Sequence, residues 1–362
     1  MTVALLTPYL TPYREPLFKL LADRHGVEVL CYGGGERYVP SWFTDLDAQL
    51  AAAPFPARRL RGAREALALG RAYEALIAPP AGAILPAAYV GARRRRRTFV
   101  LWASLWAQPR SPVHALTLPL TRHIYREADV VVAYGEHVRR FVAGIRGRDD
   151  DVFVAPQSVE AELFGRKVAE EEVERFRAEH ALPEGPLVLY VGRFVVAKGI
   201  EVLLDAWAQV SPEATLVLIG DGPLGSRAAS FPRVRVLAPL PRGALPVAYA
   251  AATCVVVPSI PTPRFKEPWG LVCNEAMHQG TPVIASDAVG AAAGGLVVDG
   301  RTGLVVPAGD APALAAAVST LLADGTLRAR LAAAAREAVA AYNYDAAAAG
   351  FSAAFARARS VT

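Results

Sequence analysis

LVLYVGRFVVAKGIEVLLDAWAQVSPEATLVLIGDGP, residues 187–223, decides the architecture of the chain. Leu187–Val191 is a continuous apolar run of strand length, broken by Gly192. From 199 to 210 the apolar positions recur at helical spacing, and Thr215–Ile219 is a second apolar run, closed by Gly220-Asp221-Gly222-Pro223. A strand, a connection of helix length and a second strand predict a parallel βαβ unit.

The same alternation extends in both directions. Downstream, strands are expected at 234–237, 254–258, 282–285 and 303–306, with helices at 243–250, 271–279, 311–323 and 327–341. Upstream, strands are expected at 3–7, 27–32, 83–85, 98–103, 130–133 and 152–155, with helices such as 15–24 and 137–143. Two such blocks predict an α/β protein of two Rossmann-like domains with parallel sheets. Their ligand is expected at the carboxyl ends of strands, in the cleft where the sheets face one another. The Glu-rich stretch 164–186 reads as a surface helix and linker. This gives domains 1–170 and 171–344, with a last helix, 345–362, crossing back to the first.

The composition agrees with two substantial cores: 362 residues, 53% hydrophobic and 20% charged, which excludes a disordered chain. Arginine and lysine exceed the acids by 39 to 34, and the whole excess lies before Gly165, where 21 basic residues face 16 acidic ones. Residues 58–97 hold ten arginines and two acids. Arg93, Arg94, Arg95, Arg96 and Arg97 could meet anionic lipid or an anionic acceptor, or form a solvated face. Three widely spaced cysteines read as reduced core residues. With neither a signal-peptide pattern nor an apolar run long enough to span a bilayer, the expected location is the cytoplasm, with the inner membrane face as an option.

Three features of the second half converge on one chemical need. Gly192-Arg193 follows a strand and Lys198-Gly199 opens a helix, so a guanidinium fork and an ammonium are presented together, which suits a diphosphate, the alternative being two exposed cations on a loop. In Glu267-Pro268-Trp269-Gly270-Leu271-Val272-Cys273-Asn274-Glu275, the proline and glycine place Glu267 in a loop and start a helix near Leu271. The amides of Gly270, Leu271 and Val272 then suit phosphate oxygens. Glu267 and Glu275 suit hydroxyls of sugar and ribose, because a carboxylate beside phosphate is tolerable only as a hydrogen-bond acceptor. Ser259, which ends the strand at 254–258, and the turn at Gly220 lie on the same expected edge.

These residues, with Ala276-Met277, Gly280-Thr281-Pro282-Val283-Ile284 and Gly303, resemble the C-terminal half of a family-four retaining glycosyltransferase of GT-B fold. The first half is similar more loosely, through Thr7-Pro8-Tyr9, Tyr13-Arg14, Ala128-Asp129, Tyr134-Gly135 and Val154-Ala155-Pro156. The resemblance implies that Arg193 and Lys198 bind the donor diphosphate and that Glu267 holds donor-sugar hydroxyls. Gly192, Gly270, Leu271 and Val272 would surround phosphates and sugar, Glu275 would hold the ribose, and the base would lie near Gly220 and Pro239. It further implies a nucleotide-sugar donor, an acceptor glycan, lipid-linked sugar or small molecule, retention of configuration, no metal or other cofactor, and no nucleic acid. Where the family often places a histidine the chain reads Ser104-Leu105-Trp106, and in place of a common Gly-Gly after the first strand it has Tyr9, Tyr13 and Arg14. Tyr13, Arg14 and Trp106 are therefore the expected acceptor side.

Other chemistries were weighed. Asp45-Leu46-Asp47 opens a helix and reads as a cap, and Asp149-Asp150-Asp151 reads as a solvated loop. Gly33-Gly34-Gly35 does not follow the first strand, which argues against a dehydrogenase. A sugar-nucleotide epimerase and a non-catalytic nucleotide-sugar sensor remain the rival readings.

Overall fold

The computed structural model describes residues 2–33 and 45–361, so Gly34 and Gly35 lie outside the described residues. The chain forms two compact units, Met1–Gln157 together with Tyr344–Thr362, and Ser158–Asn343.

The first unit is built on seven parallel strands: β1 (Val3–Thr7), β2 (Val27–Cys31), β3 (Ala57–Arg59), β4 (Ala75–Ala78), β5 (Thr98–Ala103), β6 (Val130–Ala133) and β7 (Val152–Val154). Their order is β3-β2-β1-β4-β5-β6-β7. Every residue of β1, β4 and β6 is buried, which is why these strands are unbroken apolar runs instead of alternating ones. The strand expected at 83–85 is absent. Ile84 opens a helix, Ile84–Arg94, and the strand is Ala75–Ala78, whose ALIA is weak in β-branched residues and gains its conformation by pairing between β1 and β5.

The last helix, Tyr344–Val361, packs on β6 and β7 with Phe351 and Phe355 fully buried. It approaches so closely that a Cβ on Gly350 would stand 2.2 Å from the carbonyl of Val154. Asp151, expected in a solvated loop with Asp149 and Asp150, is instead buried at 7% exposure. It accepts from Arg357 Nε of this helix at 2.8 Å and lies within ion-pair distance of Arg146 and Arg148. Its neighbours Asp149 and Asp150 are exposed.

The second unit holds six parallel strands, β8 (Leu187–Val191), β9 (Thr215–Ile219), β10 (Val234–Leu237), β11 (Cys254–Val257), β12 (Val283–Ser286) and β13 (Leu304–Val306), in the order β10-β9-β8-β11-β12-β13. The division at Gln157–Ser158 precedes the expected cut at 170/171. Val159, Phe164, Phe176 and Leu182 are core residues of this unit, so the stretch 164–186 packs instead of linking. In both sheets the chain runs outward in one direction and then returns to the other side of its first strand, between β1 and β4 and between β8 and β11. Such reversals leave a crevice at the carboxyl ends of the two strands. All three cysteines are buried and free, and no helix among the described residues is long and apolar enough to cross a membrane.

Candidate functional site

The crevice beside β8 and β11 is where the sequence motifs of the second unit meet. Gly192 ends β8 at φ +151°, a conformation suited to glycine, and Arg193 follows. Beneath them Tyr190, almost fully buried, donates its hydroxyl to the Arg193 carbonyl at 2.7 Å. Burial raises the Tyr190 pKa, the charge of Glu267 adds to the rise and Arg193 opposes it. Sequence reading missed Tyr190, which looks like any aromatic in an apolar strand.

The turn after β9 clasps the one after β8. Phe194 N–H donates to the Asp221 carbonyl at 2.6 Å and Leu224 N–H to the Phe194 carbonyl at 3.1 Å. A Cβ on Gly220 would stand 2.0 Å from the Gly192 carbonyl. Gly199, at φ +72°, lets the helix Ile200–Trp207 begin against Pro258, whose carbonyl would be 1.9 Å from a Cβ there.

Lys198 lies in that same short connection, and its ammonium donates to Glu267 Oε2. The same oxygen accepts from the Ser259 hydroxyl at 3.1 Å. Ser259, just beyond β11, is 1% exposed and its carbonyl accepts from Ser286 Oγ. The Glu267 side chain is 8% exposed and that of Lys198 22%, so the carboxylate is nearly buried and the ammonium borders solvent. An ammonium has three donors, and the pair with Glu267 uses one of them.

The loop carrying Glu267 is held from below. Gly290 N–H donates to the Glu267 carbonyl at 3.1 Å and Ala291 N–H to the Trp269 carbonyl at 2.7 Å. Trp269 is buried, with Nε1–H donating to Asn274 Oδ1 at 2.7 Å inside the next helix. That helix is Leu271–Gln279, begun by Gly270 at φ +91°. Its first-turn amides, among them Leu271 and Val272, belong to the set that has no carbonyl one turn upstream, and they carry the positive end of the helix dipole. Glu275, half-buried in its second turn, accepts from the buried Tyr249 hydroxyl. Burial raises the Glu275 pKa, while the Tyr249 hydrogen bond and the charge of Arg242 oppose the rise. Arg242 is paired with Glu160 at 2.5 Å, a contact invisible in sequence because 82 residues separate them.

Lys198, Glu267, Ser259 and the start of the helix at Gly270 thus share one strand edge, with Arg193 on the neighbouring loop. Among the described residues no cluster of His, Cys, Asp and Glu could hold a metal ion. Asp45 caps the helix Leu46–Ala52 by accepting from Asp47 N–H.

In the first unit, Tyr13 and Arg14 line a cavity of about 480 Å³ at the carboxyl ends of β1 and β4. Trp106 does not line it and packs edge-on to His137, ring centres 5.0 Å apart. Of the five consecutive arginines, Arg93 is bound to Asp129 at 2.9 Å and Arg97 to the Gly70 carbonyl at 3.2 Å, which leaves Arg94, Arg95 and Arg96 exposed.

Residues 185–324 match the family described as glycosyl transferases group 1. The chain is 35% identical over 240 residues to a D-inositol 3-phosphate glycosyltransferase of Xylanimonas cellulosilytica, covering 61% of this chain and 55% of that protein. It is 34% identical over 167 residues to an alpha-D-kanosaminyltransferase of Streptomyces kanamyceticus, covering 43% and 41%. The chain spans about half the length of the curated relatives it matches. Among solved structures it is similar to Anabaena Alr3699/HepE in complex with UDP, with TM-score 0.80 at 20% identity over 98% of this chain and 100% of that one. It is also similar to a sucrose-phosphate synthase from Thermosynechococcus elongatus, with TM-score 0.75 at 24% identity over the full length of both. These likenesses identify the fold as the GT-B fold expected from the sequence. The match to the glycosyl transferases group 1 family lies wholly within the second unit, Ser158–Asn343.

Proposed function

We propose that the chain is a retaining, metal-independent glycosyltransferase that moves a sugar from a nucleotide-diphosphate sugar to an acceptor hydroxyl. The observation that carries this reading is the Lys198–Glu267–Ser259 cluster at the strand edge where the helix after Gly270 begins, with Arg193 on the neighbouring loop. Cations and helix-start amides suit the diphosphate, and a carboxylate held in acceptor geometry suits sugar hydroxyls. The names of similar proteins support it: several relatives are glycosyltransferases, and the Anabaena structures are complexes with UDP, with UDP and glucose, and with UDP-glucose.

In this reading Arg193 and Lys198 grip the diphosphate. Their charge, with the helix dipole, stabilises the negative charge that develops on the leaving group as the glycosidic bond breaks. Lys198 keeps one donor on Glu267 and offers the others to phosphate. Glu267 then orients donor-sugar hydroxyls and Glu275 the ribose. Tyr190 positions Arg193 by fixing its backbone carbonyl. The donor is a nucleotide sugar, and no cofactor takes part.

The test is release of nucleoside diphosphate from a panel of nucleotide sugars, with and without a mixture of candidate acceptor sugars. Acceptor-stimulated release is expected for at least one donor. Conversion of the donor to an epimer with no acceptor present would support the epimerase instead, and binding without any turnover would support the sensor.

A further inference from the structure

The first unit has its own crevice, where β1 and β4 part, and its contents are chemically unusual. The cavity there, about 480 Å³, is lined by Thr11, Tyr13, Arg14, Tyr32, Ser104 and Tyr134 among others, and none of the described residues lining it is acidic. Arg14 is the single cation among these described lining residues. Its guanidinium carbon lies 4.7 Å from the Trp102 ring centre, 5.4 Å from that of Tyr134 and 5.6 Å from that of Tyr13. One terminal nitrogen donates to the Tyr134 hydroxyl. The Nε–H is buried and has no hydrogen-bond partner among the described residues.

Two more buried polar atoms of the same cavity are also without partners among the described residues, the Thr11 hydroxyl and the Tyr32 hydroxyl. Buried polar groups are almost always satisfied, so three orphans around one cavity mark a place shaped for something that satisfies them together. The group must suit an arginine that stays charged. A neutral hydroxyl would leave that charge uncompensated in an aromatic surround, whereas a planar or tetrahedral oxyanion can take hydrogen bonds in the guanidinium plane while the rings cover its faces.

We propose that this cavity holds the anionic group, phosphate or carboxylate, of the sugar acceptor, with Arg14 as its counter-ion and Thr11 and Tyr32 as further donors. The role as acceptor rests on the transferase reading; anion binding at Arg14 does not.

Calorimetric titration of the full chain with inorganic phosphate, and separately with acetate, tests this and separates the two anion types. Saturating UDP is present to fill the phosphate-binding edge of the second unit. The wild-type chain should bind one of the two anions. Arg14→Gln should weaken that binding at least about tenfold, as loss of a charge-assisted bidentate contact does, and Thr11→Val or Tyr32→Phe should weaken it less. UDP affinity should be the same in all of them. If Arg14→Gln does not fold, the two milder variants decide. No binding of either anion by wild type, or binding unchanged in the variants, overturns the proposal. Failure of UDP to bind tells against the donor reading alone, and the titrations are then run without it.

Discussion

Glu267 shows how one carboxylate could serve the proposed diphosphate site: it is nearly buried, neutralised by Lys198 and fixed by Ser259, so it would meet a ligand as an acceptor more than as a bare charge. Lys198→Ala removes both its counter-ion and one cation of the proposed diphosphate site. Turnover should fall about 10²- to 10³-fold, in line with loss of a preorganised transition-state contact, while far-ultraviolet circular dichroism stays unchanged. An equal fall in the conservative Lys198→Arg would point to steric disruption instead. Glu275 behaves differently. Its pKa is raised, first of all by burial, so its contribution to stability is present below the unfolded-state pKa and is lost as pH rises through the higher folded-state value. The melting temperature of Glu275→Gln should therefore gain on that of wild type as pH rises through the weakly acidic range, and a difference constant with pH would contradict this. The meeting of Glu267 and Lys198 at one strand edge was legible in sequence because their spacing around glycines is itself chemical information. Tyr190, Ser286 and Arg242 were not, since their roles depend on contacts between residues distant in the chain or on a neighbour's backbone.

At the scale of elements, the site depends on two strand-end turns clasped through glycines that no side chain can replace. Gly220→Ala places a Cβ 2.0 Å from the Gly192 carbonyl in a backbone conformation of φ +147°. It should destabilise the second unit by about 2–4 kcal/mol in denaturant unfolding and raise the donor KM more than it lowers kcat. A variant as stable as wild type would show that the clasp is not a constraint. Elements with strong periodicity matched their expected positions closely: Leu187–Val191, Thr215–Ile219, Leu271–Gln279 and Ala311–Ala323 run just as read from sequence. Ala75–Ala78 and Ala57–Arg59 escaped because alanine and arginine say little about strand formation. They are strands because β1, β5 and β2 offer them ladders.

At the scale of the molecule, the chain returns to its first unit at the end. Phe351 and Phe355, fully buried, together with the Arg357–Asp151 pair, make the helix Tyr344–Val361 part of a core begun more than 300 residues earlier. Phe351→Ala should cost the first unit about 3–5 kcal/mol and accelerate amide exchange in β6 and β7, while exchange in β8 and β11 is unchanged. Equal acceleration in both units would contradict the division. The positive charge of the first half also has a sharper meaning, since Arg93 and Arg97 are tied into the fold and Arg14 is held in a cavity. The central claim, a nucleotide-diphosphate site at the β8/β11 edge, is tested most directly by thermal shift of wild type and Lys198→Ala with UDP, GDP, ADP and TDP. At least one diphosphate should raise the wild-type melting temperature and lose most of that effect in Lys198→Ala. No shift with any of the four, or an equal shift in both proteins, would contradict it.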